Sequence, residues 1–388
     1  MKLNTLLSVA DFARAAGGFL PDCVRGYVEG GTEDCRTLEA NLQAFDSVQF
    51  RPRGLVGVET RDQSVELFGR RYPSPIGIAP MGVTAICRHR CESLLAEGAR
   101  EEGLPFVLSG LSTTPMETLR TVSDEFWYQG YLSGDTERIG PLLERLKQNG
   151  VSVLVVTIDT PVGANRENNQ RAGFTIPFQP SWKLFWDGVR HPRWSAQVFG
   201  QTLWKDRSIP RFTNVTADPV GHRITENPPG GLRQGRDKLN WGHLAWIRER
   251  WDGHLVLKGV AHPDDARRAA ADGMDGIIVS NHGGRQLDGA QASLDALPEA
   301  VAAVPSGFPV MVDGGFRRGS HVLKAVALGA RMVFLGRPML YGATVGGTAG
   351  VRRIAEIMRT EIDCDMALLG CRSLAEVNPS ILSARRHY

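Results

Sequence analysis

Gly276-Ile277-Ile278-Val279-Ser280-Asn281-His282-Gly283-Gly284-Arg285-Gln286-Leu287-Asp288 sets four apolar, β-prone residues directly before a glycine-rich turn that carries a histidine and an arginine. A histidine alone in such a turn is more often a hydrogen-bonded structural residue. The adjoining Gly-Gly lets another group approach the backbone closely, and Arg285 can grip a carboxylate with two parallel N–H groups. Histidine also titrates near neutrality, as a general base must. The stretch therefore reads as a strand that delivers chemistry at its C-terminal end.

Working outward, the same rhythm recurs from residue 75 onward. Candidate strands are Pro75–Ala79, Phe106–Ser109, Phe126–Tyr131, Val153–Ile158, Leu255–Lys258, Gly276–Ser280, Pro309–Val312 and Met332–Leu335. Helical spacing fills most gaps, as in Glu92–Glu102, Arg138–Gln148, Pro263–Asp272 and Ser320–Leu328. Eight strands with helical crossovers predict a single α/β domain over 1–388, a TIM (β/α)8 barrel with its site at the strand C-termini. An open doubly wound sheet is the competitor on rhythm alone.

Residues that carry chemistry stand at several strand ends, which favours the barrel. Asp313-Gly314-Gly315-Phe316-Arg317-Arg318-Gly319 and Gly336-Arg337-Pro338 follow the seventh and eighth strands, where barrels bind phosphate on bare backbone N–H groups. Asp159 and, beyond it, Arg166 follow the fourth; Asp159 could orient a histidine on a neighbouring strand or merely cap a helix. Gln129 and Tyr131 alternate onto one face of the third strand, and Ser109 ends the second. Lys258 closes an apolar fifth strand and needs an anionic partner.

Two segments lie outside the rhythm. Residues 1–74 are expected to form a helical cap, with Ser8 and Asp11 as a capping box and a linker near Arg51–Gly57. Residues 177–235 hold Trp182, Trp186, Trp194 and Trp204 without clear periodicity, and Leu184, Phe185 and Phe199 alternate with Lys183, Arg190, Arg193, Lys205, Arg207 and Arg211. Rings mixed with cations suit a lipid interface, so this insertion is expected to contact an anionic membrane surface; a lid or subunit contact is the alternative. A net charge of +3 gives no reason to expect nucleic acid, and the six cysteines form no C-x-x-C pair. No metal site is expected, no apolar run is long enough to span a bilayer, and Met1–Ala10 is too short for a signal peptide. The expected location is cytoplasmic, peripheral on the inner face of the membrane.

Taken together, these residues resemble the FMN-dependent 2-hydroxy acid dehydrogenase/oxidase family, almost end to end. The likeness covers Gly26-Tyr27-Val28-Glu29-Gly30-Gly31, Ile78-Ala79-Pro80, Gln129 with Tyr131, Thr157–Pro161, Lys258, Ser280–Asp288, Asp313–Arg318 and Gly336-Arg337. His191-Pro192-Arg193-Trp194 points to its membrane-associated lactate and mandelate dehydrogenases. The resemblance implies oxidation of an (S)-2-hydroxy acid to the 2-oxo acid, with His282 removing a proton and Asp159 pairing with its imidazolium. It implies Arg166 and Arg285 on the substrate carboxylate, with Tyr27 and Tyr131 on the carboxylate or hydroxyl. It places Ala79, Pro80, Met81, Ser109, Gln129 and Thr157 at the flavin, Lys258 at its N1/O2 side, Asp313 at the ribityl chain, and Gly315, Arg317, Gly336 and Arg337 at the phosphate. A homotetramer is also implied.

Several positions depart from the family. Met81 stands where threonine is common, Gly130 where a larger apolar residue is usual, and Leu111 where glycolate oxidase has tryptophan. With Val162-Gly163-Ala164-Asn165 adding little bulk, the pocket is expected to prefer medium or aromatic side chains over glycolate. Gly82 is the residue that dehydrogenases of the family tend to have where oxidases have alanine, which favours a quinone or other acceptor over oxygen. An oxidase producing peroxide, and a non-redox phosphate-binding isomerase or aldolase, are the competing readings.

Overall fold

The computed structural model describes residues 2–179, 181–227 and 231–384. Its centre is a parallel barrel of β1 (Ile76–Ile78), β2 (Val107–Ser109), β3 (Trp127–Gly130), β4 (Val153–Thr157), β5 (His254–Val260), β6 (Gly276–Val279), β7 (Val310–Asp313) and β8 (Met332–Leu335). Each strand pairs with its sequence neighbour, β8 pairs with β1, and an Ile78–Phe106 bridge joins β1 to the start of β2, closing the cylinder. All eight expected strands are present, with ends shifted by no more than two residues.

Most strand residues are apolar because both faces are buried, as parallel sheets require, and polar residues such as Gln129, Thr157, Lys258 and Asp313 lie towards the C-terminal ends. Val107, Trp127, Val155, Val256, Ile278, Met311, Met332 and Phe334 fill the barrel interior. The alternate residues, such as Leu108, Leu154, Leu257 and Val312, face the helices in a second cluster. Two of those helices are Cys91–Glu101 and Arg337–Leu369.

The cap opens with α1 (Val9–Phe19), α2 (Asp22–Glu29) and α3 (Arg36–Gln43). The Ser8–Asp11 capping box forms as expected, with Asp11 N–H donating to Ser8 Oγ at 3.3 Å and Ser8 N–H to Asp11 Oδ2 at 2.9 Å. The expectation of a helical cap through residue 74 is corrected: helical structure stops at Ser47, and Val65–Leu67 pairs antiparallel with Arg70–Tyr72. Val-Glu-Leu alternates apolar and polar, and Phe68 and Gly69 both adopt positive φ, 52° and 73°, as the tightest hairpin turns demand. Val65, Leu67 and Tyr72 join the barrel-interior cluster, so this hairpin plugs the end opposite the site.

The insertion is also more ordered than its composition suggested. It forms a helix at Trp182–Arg190 and wide helical turns at Ser195–Gly200 and Thr202–Asp206. Trp194, expected at the lipid interface, is instead 8% exposed and donates its indole N–H to Ile86 O at 2.7 Å. Val198 and Phe212 are buried too, and fully buried Asn214 binds Met116 N–H, Ser112 Oγ and Thr114 O. Burial of polar and aromatic anchors fastens the segment to the barrel, while Trp182, Phe185, Trp186, Phe199 and Trp204 remain exposed.

Candidate active site

A cleft of about 1130 Å³, counted out to its open mouth, lies at the C-terminal end of the barrel. The turn after β6 enters it with His282, Gly283 and Gly284 at φ 59°, 65° and 75°, three consecutive left-handed residues. That conformation is cheap for glycine and unfavourable for histidine, so the surrounding contacts must hold His282 in place. Ser280 Oγ accepts its N–H at 3.0 Å. Its Nδ1 lies 3.2 Å from both carboxylate oxygens of Asp159, which follows β4, and its Nε2 lies 3.3 Å from the Tyr131 hydroxyl. Nε2 is thus the nitrogen directed at the cleft.

Electrostatics fits this arrangement to a base. Burial pulls His282 below the ordinary histidine value near 6.5, and the Asp159 carboxylate opposes that pull. For Asp159, burial works upward, but the neighbouring imidazole and Lys258 outweigh it and hold the carboxyl below its usual range. Lys258, buried two residues before the end of β5, would lose its charge through desolvation; Asp313 at 2.9 Å and Asp159 raise it instead. Its Nζ also donates to Ser280 Oγ at 2.8 Å, linking β5 to the His282 turn.

Two arginines flank the base. Arg285 donates to Tyr27 O at 2.7 Å and Gly30 O at 2.9 Å, and its guanidinium lies 4.9 Å from the centre of the Tyr27 ring. Arg166 donates to Arg285 O at 3.0 Å and to Gln286 Oε1 at 2.9 Å. Both keep further N–H donors without a partner among the described residues. Burial and the proximity of Arg166 pull Arg285 down to about 9, the mark of a cation lacking its counter-charge.

The other end of the cleft is built from Asp313, which ends β7, Gly315 and Arg317 just beyond it, and Gly336 and Arg337 after β8. Gly314 and Gly315 have φ 104° and 83°, and a side chain at 315 would strike Asn41 O at 2.1 Å, so the loop presents bare backbone. Arg317 donates to Phe316 O at 2.8 Å and Arg337 to Val28 O and Gly30 O at 2.8 and 3.0 Å, and neither pairs with a carboxylate among the described residues. Asp313 Oδ1 is buried with no hydrogen-bond partner. An orphaned acceptor beside a glycine–arginine cradle suits a phosphate ester whose linker carries hydroxyls.

Of the residues expected from the sequence, Tyr27, Ala79, Pro80, Met81, Leu111, Tyr131, Arg166, Lys258, His282, Arg285 and the five at the phosphate end all line this one cleft. Ser109, Gln129 and Thr157 do not line it; they form a buried row across β2, β3 and β4, with bonds of 3.1 and 2.8 Å. The volume expected from the short residues 162–165 is occupied. Arg233, from the end of the insertion, rests on Gly163, where a Cβ would meet its guanidinium at 1.9 Å. Arg236 stacks on the Tyr131 ring at 4.3 Å. Neither arginine stands at a strand end, where the sequence marks site residues, although Gly231-Leu232-Arg233-Gln234-Gly235-Arg236 repeats the glycine–arginine pattern of the β7 loop.

A closed barrel whose mouth joins a phosphate cradle to a carboxylate-backed histidine defines a cofactor-dependent barrel enzyme. The profile of the FMN-dependent dehydrogenases matches residues 16–384, and the chain belongs to that family; it is an FMN-dependent oxidoreductase. It is 36% identical to an L-lactate dehydrogenase of Ectopseudomonas mendocina (strain ymp), over 97% of this chain and 98% of that protein. It is 35% identical to the (S)-mandelate dehydrogenase of Pseudomonas putida, over 98% and 94%. A crystal structure described as the monotopic membrane protein (S)-mandelate dehydrogenase superposes with a TM-score of 0.87 at 34% identity, covering 98% of this chain and all of that one. A mandelate oxidase structure superposes at 0.80 with 31% identity, covering 98% and 99%.

Proposed function

We propose that the protein oxidises an (S)-2-hydroxy acid to the 2-oxo acid, with His282 as the base, and passes the electrons to a quinone or another acceptor other than oxygen. The observation that carries the reading is His282 itself, with Asp159 on Nδ1, Nε2 open to the cleft and unpaired arginine donors on either side. Arg285 and Arg166 hold the substrate carboxylate, which fixes C2 beside Nε2. Tyr131 hydrogen-bonds the hydroxyl, and Nε2 takes a proton from the substrate. Asp159 then stabilises the imidazolium, as carboxylates do behind catalytic histidines. FMN, when bound, would supply the acceptor for the two electrons and the remaining proton released as C2–OH becomes C2=O. Gly315, Arg317, Gly336 and Arg337 would hold its phosphate and Asp313 its ribityl hydroxyls, with Ala79, Pro80 and Met81 beside the ring and Lys258 offsetting negative charge there.

His282→Gln tests this reading. FMN should remain bound, while anaerobic flavin reduction by a 2-hydroxy acid falls by at least about a hundredfold to ten-thousandfold, the usual worth of a general base. Near-normal reduction would remove His282 from the role.

The acceptor reading rests on two supports of unequal weight. Gly82 has a steric reason of its own, since a Cβ there would meet Leu111 Cβ at 2.8 Å, so it says less about oxygen than the sequence suggested. The stronger support is the exposed face of the insertion, where Trp182, Trp186, Phe199 and Trp204 stand among Lys183, Arg193, Lys205 and Arg207. Among the described residues no helix is long and apolar enough to cross a membrane, so a surface contact is the mode this face suits. A membrane-bound enzyme meets quinone directly. Fast peroxide formation in air would assign an oxidase instead.

A further inference from the structure

The substrate end of the cleft holds more positive charge than a monocarboxylate needs. Arg166, Arg233, Arg236 and Arg285 all line it, while the one acid in the lining, Asp313, is engaged by Lys258 at the cofactor end. A single carboxylate has two oxygens, and Arg166 with Arg285 supplies enough donors for both. Arg233 and Arg236 are then left over, and neither has a carboxylate partner among the described residues.

Their placement is specific. Arg233 lies at the open rim, its guanidinium on the bare backbone of Gly163, three residues before Arg166, and its side chain has no hydrogen-bond partner among the described residues. Arg236 is 7% exposed, donates to Leu232 O at 2.8 Å and stacks on Tyr131, the residue beside the base. Burial and the repulsion from Arg166 lower Arg233, and burial with Arg233 lowers Arg236 to about 10. Like charges gathered in a partly desolvated cleft with no counter-ion disfavour one another until an anion joins them.

We propose that the substrate is a short 2-hydroxydicarboxylate, whose second carboxylate, at the end of the side chain, is held by Arg233 with Arg236 behind it. The inference rests on the 2-hydroxy acid reading above and adds a substrate class to it. Leu111 and Met81 then pack the methylene stem between the two carboxylates. Arg233 is a specificity-determining residue in this arrangement; the oxidation at C2 remains with His282.

The test compares (S)-2-hydroxypentanedioate with (S)-2-hydroxypentanoate, acids of equal chain length that differ in the terminal carboxylate. Anaerobic flavin bleaching of the holoenzyme gives the rate and the apparent affinity for each. A charge-assisted pair at a partly exposed site predicts roughly a tenfold or greater preference for the dicarboxylate, expressed mainly in KM and narrowed by added salt. Arg233→Met should reduce efficiency for the dicarboxylate at least about tenfold more than for the monocarboxylate, and Arg233→Lys should restore part of the difference. A wild-type preference for the monocarboxylate, or equal losses for both acids in Arg233→Met, overturns the inference while leaving the 2-hydroxy acid reading intact. Failure of every 2-hydroxy acid to bleach the flavin overturns both.

Discussion

His282 combines an unfavourable backbone conformation with a buried, ionisable ring, and both features bear on when it can act as a base. Burial lowers its pKa and Asp159 raises it, with the net below 6.5. A base must be neutral to accept a proton, so kcat/KM should climb as pH rises through a value under 6.5 and level off towards neutrality. Asp159→Asn removes the upward pull. Its acid limb should move to still lower pH, while the plateau rate falls by roughly a hundredfold or more, because the imidazolium loses its counter-charge. A pH–rate profile of flavin reduction for both proteins checks the two shifts together; an acid limb moving upward would contradict this account of Asp159. The His282, Arg285 and Asp159 positions were legible in the sequence because each follows an apolar strand. Arg233 was not, since nothing local shows a loop arginine folding back onto Gly163.

At the scale of elements, the loop after β7 and the insertion after β4 show opposite uses of irregular backbone. Gly315 combines φ 83° with a Cβ position 2.1 Å from Asn41 O on α3, so neither the residue nor its neighbour can yield easily. Gly315→Ala should cost more than about 1 kcal/mol of stability and weaken FMN retention, read as a lower Tm and as flavin lost on gel filtration. In the insertion, Trp194 and Trp204 look alike in the sequence, yet one is 8% and the other 84% exposed. Trp194→Ala should destabilise by about 3–5 kcal/mol, as large core truncations do. Trp204→Ala should stay within about 0.5 kcal/mol of wild type. Similar thermal shifts in the two variants would contradict the anchoring of the insertion through Trp194.

For the whole molecule, the exposed rings of the insertion gather on a segment whose cations favour an anionic surface. The protein should sediment with vesicles containing anionic lipid at low salt and be released as salt screens the attraction. Replacing Trp182, Trp186 and Trp204 together with Ser should abolish that binding while leaving turnover with a soluble dye acceptor within about twofold, because surface substitutions away from the cleft barely perturb the fold. Full-length protein that ignores such vesicles would assign the segment to a lid or to a contact between subunits.

The barrel was readable along the chain, because a strand buried on both faces must be largely apolar and a site at its C-terminal end must interrupt that run. Paired glycines and arginines likewise marked the phosphate cradle, and a histidine closing a strand marked the base. The remainder depends on long-range packing. The hairpin at Val65–Tyr72 was hidden because three-residue strands are too short for a periodicity to register. The burial of Trp194 and the entry of Arg233 and Arg236 into the cleft depend on where a long insertion folds back. Those contacts join residues far apart along the chain, and local composition carries no record of which partner each side chain will find.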